Sequence, residues 1–242
     1  MTRDDSSVQA RITGFWSAVA AEYEAHGGNV PASDSAEFRA WVEAIRELLP
    51  AAPADVLDIA TGTGFAALIA AGLGHRVTGI DLSEAMLAEA RKAAAARGLA
   101  IRFELRDAVT PELPPHSLDA IVCRHFLWTL REPEVALRSW RVLLRPGGRV
   151  VAIDGFWFRE SGAASDEGAR EQPEQVGLFD RYYTRETRAA LPAMSFASAA
   201  PIVAMFERAG FSRVERSDLA AVHALAEDPP SAEPWYVVVA RA

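Results

Sequence analysis

The chain has 242 residues, half of them hydrophobic, with 25 basic against 33 acidic side chains and a formal net charge of −8. That length and apolar content suffice for a sizeable core, and the mixed charge argues against a disordered chain or a fibre. The negative balance disfavours nucleic acid as a partner: the nearest thing to a basic cluster, Arg138, Arg141, Arg145 and Arg149, falls on a predicted helix and the turn after it. Cys123 is the only cysteine, so no intramolecular disulfide and no thiolate-rich zinc site is expected, and no metal. The N-terminus is polar, and no run approaches the ~20 apolar residues of a membrane span. A cytoplasmic protein with no membrane partner is expected.

Ahead of the first strand, Val8, Ile12, Phe15, Trp16, Val19 and Tyr23 recur at three- and four-residue spacing and predict an amphipathic helix, ended by Gly27, Gly28 and Pro31. A second helix is predicted from a cap at Ser33 or Ser35 through Phe38, Trp41, Val42, Ile45, Leu48 and Leu49 to Pro50. From Asp55 onward strands and helices alternate. Strands are predicted at 56–60, 76–80, 101–105, 118–123 and 149–154, and helices at 65–73, 83–96 and 132–144, with Ser83 as a cap. Units of this length imply a parallel sheet covered by helices on both faces. Residues 159–177 are small and polar and read as a surface excursion. A helix at 199–209 and strands at 211–218 and 235–241 complete the chain, and the short connection between those two strands suits an antiparallel addition at the sheet edge.

The strongest local signal is the passage Val56-Leu-Asp58-Ile-Ala60-Thr61-Gly62-Thr-Gly64 from the first strand into its helix. Glycines permit a sharp turn and close approach of a ligand to the main chain, and the helix N-terminus offers unpaired N–H groups. Asp81 ends the second strand, where a carboxylate can accept both hydroxyls of a ribose. The spacing of Gly62, Gly64, Ala67 and Asp81 also fits a nicotinamide dinucleotide fingerprint, and alone these residues do not choose between the two cofactor types. An NAD(P)-dependent oxidoreductase is therefore the competing reading, with a non-catalytic protein that keeps the fold as a third. Asp58 before the glycines favours a ligand carrying an ammonium group over a pyrophosphate, and Asp107 with the Ala108 backbone after the third strand suits adenine.

With these residues assembled, the chain resembles the class I S-adenosylmethionine-dependent methyltransferases, in the small-molecule branch that includes the ubiquinone/menaquinone-type enzymes. The resemblance rests on Val56–Gly64, Ile80–Arg91, Arg106–Ala108, Leu118–Leu130 and Leu143–Asp154. It implies an α/β, Rossmann-like fold: a seven-stranded, mostly parallel sheet with one antiparallel edge hairpin, helices on both faces and an N-terminal helical lid. The lid spans residues 1–50 and the cofactor-binding catalytic domain 51–242, with a substrate-side insertion near 155–200. The implied cofactor is S-adenosyl-L-methionine, leaving S-adenosyl-L-homocysteine as product, and the implied partner is a small-molecule acceptor with an N, O or S nucleophile, met by a monomer or homodimer. By the same analogy, Asp58 and the backbone of Ala60, Thr61, Gly62 and Gly64 hold the methionine end. Asp81 takes the ribose, Leu82 and Met86 flank adenine, Asp107 and Ala108 read its edge, Cys123 and Arg124 close the methionine side, and Tyr23 covers the cofactor. Ala60 departs from the family, which usually has a glycine there; a small residue fits if φ stays negative.

Methyl transfer is an in-line displacement at an activated carbon, so alignment and exclusion of water matter more than a catalytic group. His125, just after the fourth strand, is the candidate base or substrate-orienting group, and Asp154 at the end of the fifth strand is a second catalytic candidate. His125, Trp128, Trp157, Tyr182 and Tyr183 are expected to bind substrate, since aromatic walls suit a planar or apolar acceptor. Phe126 and Phe156 are expected to be packing beneath the lid.

Overall fold

In the computed structural model the described residues are 3–23, 31–155, 173–196, 198–226 and 235–242. The helices are α1 (Arg3–Val19), α2 (Ala36–Leu48), α3 (Phe65–Gly72), α4 (Glu84–Ala96), α5 (Pro133–Leu143), α6 (Pro173–Tyr182), α7 (Arg185–Ala189), α8 (Ala200–Arg208) and α9 (Ala220–His223). The strands are β1 (Asp55–Ile59), β2 (Arg76–Asp81), β3 (Arg102–Leu105), β4 (Leu118–Arg124), β5 (Leu144–Asp154), β6 (Ser212–Asp218) and β7 (Tyr236–Arg241). Phe156, Trp157 and most of the polar excursion lie outside the described residues.

The seven strands form one sheet in the order β3-β2-β1-β4-β5-β7-β6. β1, β2, β3, β4 and β5 pair in parallel, whereas β7 runs antiparallel to both β5 and β6. The C-terminal pair is thus inserted with its second strand inward: β7 lies against β5, and β6 becomes the edge. The reason is burial. Tyr236, Val237, Val238 and Ala240 of β7 are each at most 3% exposed, while β6 carries Arg213, Glu215, Arg216 and Asp218 and faces water. Charged side chains on an exposed edge also discourage pairing with another chain. The link between the two strands is longer than a hairpin turn and contains α9.

β1 sits between β2 and β4, so the chain reverses its direction of travel across the sheet there, which is where open α/β sheets bind ligands. Both faces of the sheet are packed. On one side Trp140, Leu137 and Phe206 of α5 and α8 cover Leu57, Ile121 and Val150; on the other Trp41, Ile45 and Phe65 cover Val56, Val122 and Val151. Local signals start the helices at these places. Ser35 Oγ accepts from the Phe38 N–H at 2.9 Å, Ser83 Oγ from the Met86 N–H at 3.2 Å, and Pro133 opens α5 where no N–H is required.

α2 packs into this main body, whereas α1 meets it at α4, where Ser17 Oγ lies 2.8 Å from Ser83 Oγ, and buries its apolar residues elsewhere. Val8 and Ile12 of α1 join Trp128, Tyr183, Leu191 and Met194 in a separate apolar cluster outside the two sheet layers. Arg11 binds it to α7, donating from Nε to the Thr187 hydroxyl at 2.9 Å and pairing with Glu186 at 2.9 Å.

Candidate active site

A cleft with a void of about 1020 Å³, counting its solvent-open mouth, lies at the C-terminal ends of β1, β2 and β4. That is the upper end of the roughly 300–1,000 Å³ usual for small-molecule sites. β1 delivers Asp58 to its floor. The carboxylate is 2% exposed, and Oδ2 accepts from the Thr61 hydroxyl at 2.6 Å and from the Ala67 N–H at 2.9 Å. Burial pushes its pKa up to about 7 in spite of both bonds.

The loop after it turns back on β2. Thr61 N–H donates to the Ile80 carbonyl at 2.9 Å, and Gly62 N–H to Asp81 Oδ2 at 3.0 Å. The other oxygen of Asp81 accepts from the Ser83 N–H at 2.8 Å, and burial raises this carboxyl above its usual range as well. Ala60, Gly62 and Gly64 all have positive φ, at 53°, 54° and 92°. The expectation of a negative φ at Ala60 is therefore not met: the loop keeps the left-handed turn that glycine ordinarily supplies and strains an alanine to do so. A Cβ at Gly62 would meet nothing within 4 Å, so the main chain there lies open to the cleft.

At the far end, Leu82, Met86, Asp107 and Ala108 line the cleft together with Arg106 and Val109. Asp107 Oδ1 accepts from the Val109 N–H at 2.8 Å, and the Ala108 carbonyl accepts from the Trp140 indole at 2.7 Å, which pins the turn after β3 to α5.

Alternation along β4 separates Cys123 from Arg124. Cys123 is 1% exposed within the core, and its side chain is not part of the cleft wall; burial also holds its thiol well above the ordinary pKa. Arg124 points to the other face and lines the cleft, its guanidinium 4.3 Å from the Phe65 ring and 4.8 Å from that of Trp41. Burial lowers its pKa to about 10, opposed by Tyr23, Glu37, Asp58 and Asp154. Tyr23 lines the cleft near this group, with its ring 5.9 Å from that of Trp16.

His125 also lines the cleft, with φ 55° and its N–H donated to the Ile153 carbonyl at 2.8 Å. Burial first, and the Arg124 charge second, push its pKa well below the ordinary histidine value, so the ring is neutral. Asp154 is 1% exposed and turned to the main chain, accepting from the Leu127 N–H at 3.0 Å and the Gly155 N–H at 2.9 Å. Trp128, Tyr182 and Tyr183 are gathered with α1 rather than in the wall of the cleft. Trp128 and Tyr183 are buried with ring centres 5.5 Å apart, and Tyr182 packs on Phe15 at 6.2 Å. Phe126, expected as packing, faces the cleft.

Sequence reasoning missed four wall residues on α1, Gln9, Ile12, Thr13 and Trp16, as well as Phe65, Arg106, Thr129 and Leu130 among others. The four on α1 form an i, i+3, i+4, i+7 stripe, and the signal was there: Gln9 and Thr13 put polar groups into an otherwise apolar helix face.

Residues 57–152 match the model of a family described as a methyltransferase domain. The chain is similar to the demethylmenaquinone methyltransferase of Thermus thermophilus, 37% identical over 124 residues, covering 50% of this chain and 56% of that protein. It is also similar to the ubiquinone/menaquinone biosynthesis C-methyltransferase UbiE of Roseobacter denitrificans, 33% identical over 150 residues, covering 60% of this chain and 58% of that one. The chain thus spans a little over half the length of these curated relatives. Among solved structures, the S-adenosylmethionine-dependent methyltransferase of Mesorhizobium loti superposes with a TM-score of 0.59 and 26% identity, over 84% of this chain and 98% of its own. The glycine loop between two strand-end carboxylates, the sheet order and these relatives converge: residues 57–152 carry the pattern of a methyltransferase domain, and the chain is similar to S-adenosylmethionine-dependent methyltransferases and to the ubiquinone/menaquinone enzymes.

Proposed function

We propose that this chain is an S-adenosylmethionine-dependent methyltransferase that acts on a small-molecule acceptor in the cleft above β1 and β4. The observation that carries the reading is the pair Asp58 and Asp81 on either side of an open glycine loop, the first buried and the second half-buried, both anchored by main-chain N–H groups. The donor set fits the cofactor along its length. Asp58 faces its ammonium group, the exposed main chain at Gly62 its methionine backbone, and Asp81 its ribose hydroxyls, since a carboxylate with two backbone bonds still has lone pairs to offer. Leu82 and Met86 flank the adenine, and Asp107 with the Ala108 backbone reads its edge. Arg124, held on Phe65 and Trp41, meets the methionine carboxylate, and Tyr23 covers this end.

When bound, the cofactor supplies a methyl group already activated by its sulfonium. The protein's work is then alignment and the exclusion of water. α1 and the α6–α7 segment act as the lid over the site, with Trp16, Phe126 and Leu130 as apolar walls. His125 orients the acceptor: burial that keeps its ring neutral also makes it a weak base, so it accepts a hydrogen bond more readily than a proton. Asp154 acts through the main chain it holds. Among the described residues no helix is long and apolar enough to cross a membrane, and no group of three potential ligands could hold a metal ion. A buried Cys123 suits a cytoplasmic setting, and the enzyme is taken to act as a monomer or homodimer. Incubation with methyl-labelled S-adenosylmethionine and a broad panel of phenols, amines, thiols and activated carbon acids is the test. Label in an extractable small molecule is expected; a protein that binds the cofactor and labels none of them is not this enzyme.

A further inference from the structure

Two side-chain hydrogen-bond chains end on the acceptor half of the cleft, and each begins on a group that can only donate. The first starts at Arg131, whose Nε donates to Gln9 Oε1 at 2.9 Å. This fixes the amide orientation: Gln9 Nε2 must face the other way, where it donates to Thr13 Oγ1 at 3.3 Å. The second starts at the Trp16 indole, which donates to the Tyr183 hydroxyl at 3.1 Å. Tyr183 is 1% exposed and among the described residues its hydroxyl has one other hydrogen-bond partner, Thr129 Oγ1 at 2.8 Å, so its hydrogen goes to Thr129 rather than being buried without a partner. Both chains therefore run outward. They leave the hydroxyl hydrogens of Thr13 and Thr129, which both line the cleft, free to point into it.

We infer that Thr13 and Thr129 are specificity-determining hydrogen-bond donors, and that the methyl acceptor presents to them an oxygen with lone pairs to offer, best met by a carbonyl or the ionised oxygen of an enol or phenol. The inference rests on the methyltransferase reading and adds to it the chemical class of the acceptor. Tyr183, Gln9 and Trp16 are positioning residues in this scheme. They do not touch the acceptor but decide which way the two threonine hydroxyls point. An acceptor offering only N–H groups would leave both threonine hydrogens without a partner.

The test uses two uncharged bicyclic probes of similar size, chromone (a ketone with no donor) and indole (an N–H donor with no oxygen). Each is titrated by ligand-observed NMR against the full chain saturated with S-adenosylhomocysteine. Chromone is expected to bind at least about fivefold tighter than indole. Thr129→Val should weaken chromone by about three- to tenfold and leave indole and S-adenosylhomocysteine unchanged, with Thr129→Ser restoring the wild-type preference. Tyr183→Phe should weaken chromone alone in the same way, a selectivity that a merely structural role would not produce. Equal binding of the two probes, no binding of chromone, or a chromone affinity indifferent to Thr129→Val overturns the inference while the cofactor site stands. Failure of S-adenosylhomocysteine itself to bind overturns the methyltransferase reading beneath it.

Discussion

Asp58 is a carboxylate that the fold holds at a disadvantage. Its folded pKa of about 7 lies above the ordinary 3.8, so folding favours the protonated form. The sign follows from linkage: the folded chain binds the extra proton, so this group's contribution to stability declines as pH rises from about 4 and levels off above about 7. Asp58→Asn keeps an oxygen for Thr61 and Ala67 and removes the buried charge. It should raise Tm, more at pH 8 than at pH 5 by differential scanning calorimetry, while S-adenosylmethionine affinity collapses. In the wild type, affinity for a ligand whose ammonium faces Asp58 should fall about tenfold between pH 8 and pH 6, because the carboxyl must first lose its proton. The neighbouring loop gives a second contrast. Ala60→Gly relieves a left-handed alanine, worth about 1–2 kcal/mol, against an unfolded-state cost of about 0.4–1 kcal/mol. Denaturant titration should show a gain of up to about 1 kcal/mol with cofactor affinity preserved. Asp58 and Asp81 were legible in the sequence because a strand end followed by a glycine loop fixes where they stand; the sign of φ at Ala60 was not, since it is set by the loop's pairing with β2.

Among the elements, α2 matters more to the site than its place ahead of the sheet suggests. Trp41 is fully buried, lies 5.2 Å from Trp235 and 5.4 Å from Phe65 between ring centres, and carries the Arg124 guanidinium on its face. Trp41→Ala should cost roughly 3–5 kcal/mol in urea denaturation, as for other buried aromatics, and should weaken cofactor binding by releasing Arg124. The helical period of α2 and the cap at Ser35 could be read from the sequence, but the stacking of Arg124 could not, because residues 41, 65 and 124 meet only once the sheet forms. α1 shows the same limit. Its aromatic stripe was recognised, yet Trp128, Tyr182 and Tyr183 proved to be its packing partners, whereas Gln9 and Thr13 face the cleft. A period of 3.6 tells which residues share a face and says nothing about whether that face meets a core or a cavity.

Across the whole molecule the two ends of the sheet have separate tasks. At the N-terminal ends of the strands, Asp55 pairs with Arg76 at 2.7 Å and Arg145 at 3.0 Å, and Arg145 reaches Asp119 at 2.8 Å, tying β1, β2, β4 and β5 together. The bond from Arg76, aided by Arg145, holds the Asp55 carboxyl below its usual pKa. Arg145→Ala should lower Tm without changing affinity for S-adenosylhomocysteine, since the cleft is at the opposite end. The parallel sheet was legible from the alternation of apolar runs and helical patterns. The inward position of β7 was not, because only the mutual burial of β5 and β7 selects it over β6. Binding of a methyl-donor cofactor by the loop between Asp58 and Asp81 is the step on which the proposed function depends. It is tested most directly by calorimetric titration of the full chain with S-adenosylhomocysteine at pH 8, wild type against Asp81→Ala. Saturable one-site binding is expected of the wild type, with a loss of at least about tenfold in the variant from removing a charged acceptor for two ribose hydroxyls. No heat of binding at millimolar ligand, or equal affinity in the two proteins, would contradict it.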